Sequence, residues 1–283
     1  MKVLNGKVIA DQVKDDLREI VTKMKNEGKS FKLCVVQVGD DPASSVYVNN
    51  KAKSCDYIGI DSEVIKLTDT VTEEDLIELI NELNEDELVN GILVQLPLPK
   101  HLNEQFILST IDPSKDVDGF HPYNVGNLFL GNDTITSCTP QGIMGILNYY
   151  GIDIAGKECV VVGRSNIVGK PMAMLLLEAN GTVTVCHSKT ENLKETCKRA
   201  DILVCAIGKP KFFNEDYVKN DAVVIDVGIH RMDNGKLCGD VDFDAVKDIV
   251  SAITPVPNGV GSMTVAMLMD NVVQASMKQW GEW

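Results

Sequence analysis

Tyr47 and Lys51 stand four residues apart in YVNNK and so share one face if that segment is helical. A phenol hydroxyl and an amine placed in that way can share a proton network. A free lysine has a pKa of about 10.4, so a lysine base working near neutrality needs burial or cationic neighbours to lower it. Gln95, near the end of the run GILVQL, is an amide that could orient the lysine. The LPLP after it breaks regular structure where open α/β sheets place their ligands, beyond the carboxyl ends of the strands. KDVDGF, residues 115–120, adds Asp116 and Asp118 in an expected loop, where a carboxylate can accept paired N–H bonds from a planar amidine edge. Each feature has a plainer alternative. Tyr and Lys at this spacing are usually a surface pair, and Asp-Gly is usually a turn.

VVGRSNIVGKP, residues 161–171, fits two kinds of phosphate-binding loop imperfectly. A P-loop has four residues between its glycines and Ser or Thr after its Lys, whereas Gly163 and Gly169 bracket five residues and Pro171 follows Lys170. The dinucleotide pattern GxGxxG asks for glycine where Ser165 stands. The flanks favour the second pattern, because ECVVVG and GKPMAMLLLEANG read as strand, tight turn and helix. Pro171 suits the first turn of that helix, and the amides ahead of it can face a phosphate. A glycine-rich turn with no ligand is the alternative. NAD sites place an Asp or Glu at the end of the second strand for the ribose 2′-hydroxyl, about 20 residues on. Here that strand ends in CHSKT, residues 186–190, with no acid. Arg164, Ser165, His187, Ser188 and Lys189 are donors suited to a 2′-phosphate, so NADP is favoured over NAD, although solvated polar residues at a strand end would look the same.

The elements that must position these groups follow from periodicity. Val8, Ile9, Val13, Leu17, Ile20, Val21 and Met24 recur at helical spacing and Gly28 marks the stop; FKLCVVQVG, residues 31–39, is then a continuous apolar run of the kind buried on both faces of a parallel sheet. Helices are expected over 43–58 and 73–84, the latter after the cap Thr72, with strands over 62–67 and 91–96. A loop-rich stretch over 97–140, punctuated by PLP, DP, DG and TP, precedes a helix over 140–150 and the strands ECVVVG, TVTVCH, ILVCAIG and AVVIDVG. Alternation at this spacing means parallel crossover units, hence an α/β chain with two domains. The expected boundaries are 1–139 for the first domain and 140–262 for a Rossmann-like second domain, with an amphipathic helix over 263–279 in a segment, 263–283, that returns to the first.

Composition narrows the partners. With 283 residues, 44% apolar and 24% charged, the chain has the composition of a soluble globular protein, and its net charge of -14 disfavours nucleic acid or an anionic membrane as partner. The eight cysteines form no CxxC pair and sit mostly in apolar runs; with four scattered histidines there is no metal-site spacing. No signal-peptide h-region and no membrane-length apolar run is present, so a reducing cytoplasm is the expected compartment.

YVNNK, GILVQLPLP, KDVDGF, CTPQG, VVGRSNIVGKP, TVTVCHSKT, VVIDVGI and TPVPNGVGSMT occur in the order found in the bifunctional methylenetetrahydrofolate dehydrogenase/methenyltetrahydrofolate cyclohydrolase family, which the chain resembles end to end. The resemblance implies a folate cleft between the two domains, hydride transfer from 5,10-methylenetetrahydrofolate to NADP, hydrolysis of the methenyl product to 10-formyltetrahydrofolate, a place in one-carbon metabolism and purine biosynthesis, and a homodimer. Carried to matching positions, it makes Lys51 the general acid/base, with Tyr47 against the pterin, Gln95 supporting the lysine and Asp118 gripping the pterin. It also gives Pro257, Asn258 and Gly259 to the folate pocket, and Gly163, Arg164, Ser165, Ser188 and Ile229 to the cofactor. Three positions depart from the family pattern: Ser137 and Ser262 replace prolines, and Asn258 replaces a glycine. Asn is the most tolerant substitute for glycine at positive φ. The rival readings are a dehydrogenase of another small substrate and a catalytically silent folate or nucleotide binder. YVNNK with Gln95 and Asp118 argues against the first, and turnover would exclude the second.

Overall fold

The computed structural model describes residues 1–282, with the backbone alone for residues 42–46. In chain order the first elements are β1 (Lys2–Val3), α1 (Gly6–Asn26), β2 (Lys32–Val38), α2 (Pro42–Ile58), β3 (Asp61–Leu67), α3 (Glu73–Glu85), β4 (Gly91–Val94), α4 (Glu104–Thr110), α5 (Pro122–Leu130) and α6 (Cys138–Tyr149). There follow β5 (Glu158–Val162), α7 (Gly169–Glu178), β6 (Thr182–Cys186), α8 (Leu193–Arg199), β7 (Ile202–Cys205), β8 (Val223–Asp226), β9 (His230–Arg231), β10 (Leu237–Cys238), α9 (Phe243–Val246), β11 (Ala252–Ile253) and α10 (Val260–Gln279). The chain divides into two compact α/β units, one of Met1–Ala10 with Ser137–Thr264, the other of Asp11–Thr136 with the segment starting at Val265.

The unit that contains Lys51 has a parallel sheet of three strands in the order β3-β2-β4. Its central strand β2 is apolar through LCVV and buried because helices cover it, and Cys34, Val36, Leu76, Ile80, Ile92 and Ile107 meet in the core. The Thr72 hydroxyl accepts from Asp75 N at 3.1 Å and starts α3 as its sequence indicates. The stretch over 97–140 departs from expectation, since it holds α4 and α5. These helices have seven and nine residues, too few for a 3.6-residue period to stand out. Both are capped by side chains: Asn103 Oδ1 accepts from Phe106 N at 3.2 Å, and His121 Nδ1 from Tyr123 N at 3.0 Å ahead of Pro122.

The other unit has a parallel sheet of six strands in the order β1-β11-β8-β7-β5-β6. From β5 the chain moves outward to β6 and then returns to the opposite side of β5 for β7, so the strand order reverses between β5 and β7. That switch point is where doubly wound sheets bind dinucleotides. The first ten residues belong to this unit rather than to the 1–139 domain expected from sequence. There β1 pairs with β11, and the N–H groups of Lys2 and Leu4 donate to Ser251 O and Ile253 O at 2.7 and 2.8 Å. Strands of two residues carry no readable alternation, which hid this pairing.

Candidate active site

In the first unit described, α2 places Tyr47 and Lys51 one turn apart, Tyr47 exposed and Lys51 half-buried. Gln95 directly follows β4, where Gln95 N donates to Val36 O at 2.8 Å and keeps the strand direction for one more residue. Its side chain is held at both ends: Nε2 donates to Leu96 O at 2.7 Å, and Oε1 accepts from Lys51 Nζ at 3.0 Å. The amide is thereby turned so that its oxygen, and not its nitrogen, meets the lysine. The structure thus brings together an amine and an orienting amide 44 residues apart in sequence, beyond the carboxyl end of a parallel strand.

KDVDGF divides its work among its charged residues. Lys115 is buried, and its Nζ donates to the carbonyls of Leu83, Asn84 and Asp86 at 3.1, 2.7 and 2.8 Å, closing the C-terminal end of α3. Burial pushes its amine below the ordinary lysine range. Asp116 is also buried, and its Oδ2 accepts from His121 N at 2.8 Å and Asn124 Nδ2 at 2.9 Å, while burial raises its carboxyl above the usual range. Both residues fix the loop, and Asp118 between them and Gly119 is half-buried. Asn271 of α10 adds a hold that the sequence did not reveal, its Nδ2 donating to Val117 O and Thr136 O at 2.8 and 2.9 Å.

In the second unit, Gly163 ends β5 with φ of +141°, and a Cβ there would lie 2.3 Å from Ala206 O, the residue that follows β7. A Cβ on Gly169 would meet Gly163 O at 2.2 Å. Both glycines are therefore required by close backbone approach at the switch point. Ser165, which stands where the pattern asks for glycine, accepts from Val168 N and Gly169 N at 3.2 and 3.4 Å and so caps α7 while keeping its hydroxyl proton to donate. Arg164, Ser188 and Lys189 are exposed, and among the described residues Arg164 and Lys189 enter no ion pair. His187 is engaged differently: its ring Nδ1 accepts from Lys189 N at 3.2 Å and its backbone N–H donates to Thr190 Oγ1 at 2.8 Å, so the residue closes its own turn.

Ile229, Pro257, Asn258 and Gly259 fall in this same unit, apart from Lys51 and Gln95. Ile229 is exposed after β8, with its Cδ1 2.7 Å from where a Cβ on Gly261 would stand. Asn258 adopts φ of +74°, and its carbonyl accepts from Lys7 N at 3.2 Å. Sequence reasoning missed a network built on two buried carboxylates, Asp226 and Asp240. Asp240, fully buried, accepts from the N–H groups of Ile207, Gly208 and Lys209 at 2.7, 3.0 and 2.8 Å, and its Oδ1 lies 2.8 Å from His230 Nε2. Asp226 accepts from Gly228, Asp240 and Val241 N–H groups at 3.0, 2.8 and 3.0 Å. Together they tie the loop after β7 to the end of β8 through the segment that follows β10. Among the described residues no cluster could hold a metal ion.

A glycine loop at the switch point of a doubly wound sheet, in a chain with a further α/β unit that pairs a lysine with an amide beyond a strand's carboxyl end, is the arrangement of a dinucleotide-dependent enzyme. Residues 4–118 match the model for the tetrahydrofolate dehydrogenase/cyclohydrolase catalytic domain, and residues 137–280 match that for its NAD(P)-binding domain. The bifunctional protein FolD of Lachnoclostridium phytofermentans is 61% identical over 98% of both chains, and that of Acetivibrio thermocellus is 58% identical over 98% of both. Among solved structures, the Campylobacter jejuni FolD dehydrogenase/cyclohydrolase is 48% identical over 99% of both chains with a TM-score of 0.97. The Trypanosoma brucei enzyme, solved with NADP and an inhibitor, is 36% identical over 98% of both chains with a TM-score of 0.94. The chain belongs to the tetrahydrofolate dehydrogenase/cyclohydrolase family and is an enzyme of one-carbon folate metabolism.

Proposed function

We propose that the chain oxidises 5,10-methylenetetrahydrofolate to the 5,10-methenyl compound with NADP and hydrolyses that product to 10-formyltetrahydrofolate, which supplies purine biosynthesis, and that it acts as a cytoplasmic homodimer. The observation that carries the reading is the 3.0 Å bond between Lys51 and a Gln95 amide whose other end is fixed. Bound at the glycine loop, NADP supplies the hydride acceptor; Gly163, Ser165 and Ile229 hold it, and Arg164 and Ser188 bind the 2′-phosphate. Loss of hydride leaves a folate cation delocalised over two nitrogens, so this half of the reaction needs placement more than it needs a base. Proton handling begins when water attacks the methenyl carbon. Lys51 then takes and returns the proton, Gln95 keeps its amine aimed, Tyr47 lies against the pterin and aids Lys51, and Asp118 grips the pterin's planar N–H edge. Pro257, Asn258 and Gly259 line the folate pocket.

The test supplies methylenetetrahydrofolate with NADP or NAD and follows nicotinamide reduction together with methenyl and formyl products. The reading requires both products and a preference for NADP. Binding of folate without turnover would leave a silent binder, and a preference for NAD would overturn the cofactor assignment.

A further inference from the structure

Ser137 stands where the family pattern has proline, immediately before CTPQG. It is the N-cap of α6, and Gln141 N donates to its carbonyl at 3.1 Å, yet its side chain makes no capping bond to its own helix. N-cap serines ordinarily turn their oxygen to an N–H of the first turn. Here the buried hydroxyl donates instead to the carbonyl oxygen of Ile167, 30 residues on, at 2.6 Å. Ile167 lies between Ser165 and Gly169 in the glycine loop, and among the described residues its carbonyl has no other donor. The loop is thereby held twice, internally by Ser165 at the start of α7 and externally by Ser137 on α6, which packs against α7.

We infer that Ser137 is a positioning residue for the dinucleotide: its hydroxyl, by its bond to Ile167 O, fixes the backbone of the loop that receives the phosphates. The inference rests on reading residues 163–169 as the dinucleotide loop. Because it acts on loop shape, Ser137 affects NADP and NAD alike, unlike Arg164, which faces the 2′-phosphate. The backbone allows a clean test, since φ of −51° at Ser137 suits proline and its N–H donates to no described residue.

Ser137→Ala and Ser137→Pro both remove the hydroxyl, the second without loosening the chain. In each, direct binding of NADP and of NAD should weaken by about threefold to tenfold, the worth of one neutral hydrogen bond. The KM for nicotinamide should rise likewise, while kcat stays within about twofold and cofactor-free hydrolysis of methenyltetrahydrofolate is unchanged. Equal binding to wild type in both variants would overturn the role, as would a matching loss in hydrolysis, which would mark general destabilisation. Rescue by proline but not by alanine would also overturn it, by showing that stiffness alone matters. Arg164→Ala, measured in parallel, separates the two levels of the argument. If it weakens NADP selectively while the Ser137 variants bind normally, only the tether fails. If it leaves NADP binding untouched, the loop assignment fails.

Discussion

Asn258 shows how much one residue can reveal. Its place in TPVPNGVGSMT called for a backbone tolerant of positive φ, and it adopts +74°. Chirality is a local property, so such a position can be read without knowing its surroundings. Asn258→Gly should leave stability unchanged within about 0.5 kcal/mol, whereas Asn258→Val, β-branched in the left-handed region, should cost about 1–2 kcal/mol in urea unfolding. Equal stability of the Val variant would contradict the strained geometry. Partnerships were less legible. Nothing in CHSKT tells that His187 spends its ring on Lys189 N, and nothing in GRSNIVG tells that Ser165 caps α7, because each depends on how a turn closes in space. Lys51 and Gln95 were named from their types and from the strand end near Gln95, but the bond between them spans 44 residues that only the fold brings together.

At the scale of elements, the longer strands of both sheets were legible because runs of apolar and β-branched residues have few other uses. The short pieces were not: α4, α5, β1 and β11 carry too few residues for a period, and their caps look like loop. The loop bearing Asp118 is the instructive case. KDVDGF reads as a turn, and it is one, but Lys115 grips α3, Asp116 grips the start of α5, and Asn271 reaches from α10 to Val117 O. Asn271→Leu would leave the Val117 and Thr136 carbonyls without that donor. The expected result is a loss of about 1–3 kcal/mol in stability together with weaker folate binding, because the loop that aims Asp118 is loosened. Lost stability with unaltered folate affinity would separate Asn271 from Asp118.

At the scale of the whole molecule, the alternation of helix and strand gave the α/β class and two units, but not the return of the first ten residues to the unit of the glycine loop. Charge gives a property that no single motif shows. Burial pushes Asp226 up to about 7 against three backbone N–H donors that favour its ionised form, and it raises Asp116 as well. From the unfolded value near pH 4 to about 7 the folded chain keeps a proton that the unfolded chain has released. The contribution of Asp226 is therefore full at low pH and lost as pH rises through about 7. Asp201, Asp216 and Asp244, lowered by lysine partners, act with the opposite sign and only as pH falls through their range. Unfolding free energies of wild type and Asp226→Asn should thus converge or cross as pH rises from about 4 to 7, wild type losing on the order of a few kcal/mol relative to the variant. A constant difference across that window would contradict a raised Asp226.

Two activities in one chain, with the proton chemistry confined to Lys51, is the central claim, and Lys51→Gln tests it most directly. Glutamine keeps much of the length and a polar end but cannot carry the proton. On one folded preparation, folate binding, methylenetetrahydrofolate oxidation and methenyltetrahydrofolate hydrolysis are measured side by side. General acid/base help is worth about 10² to 10⁴ in rate, so hydrolysis should fall at least a hundredfold while folate still binds and hydride transfer is hurt less. Near-normal hydrolysis, or an equal fall in both activities that follows lost folate affinity, would contradict the account.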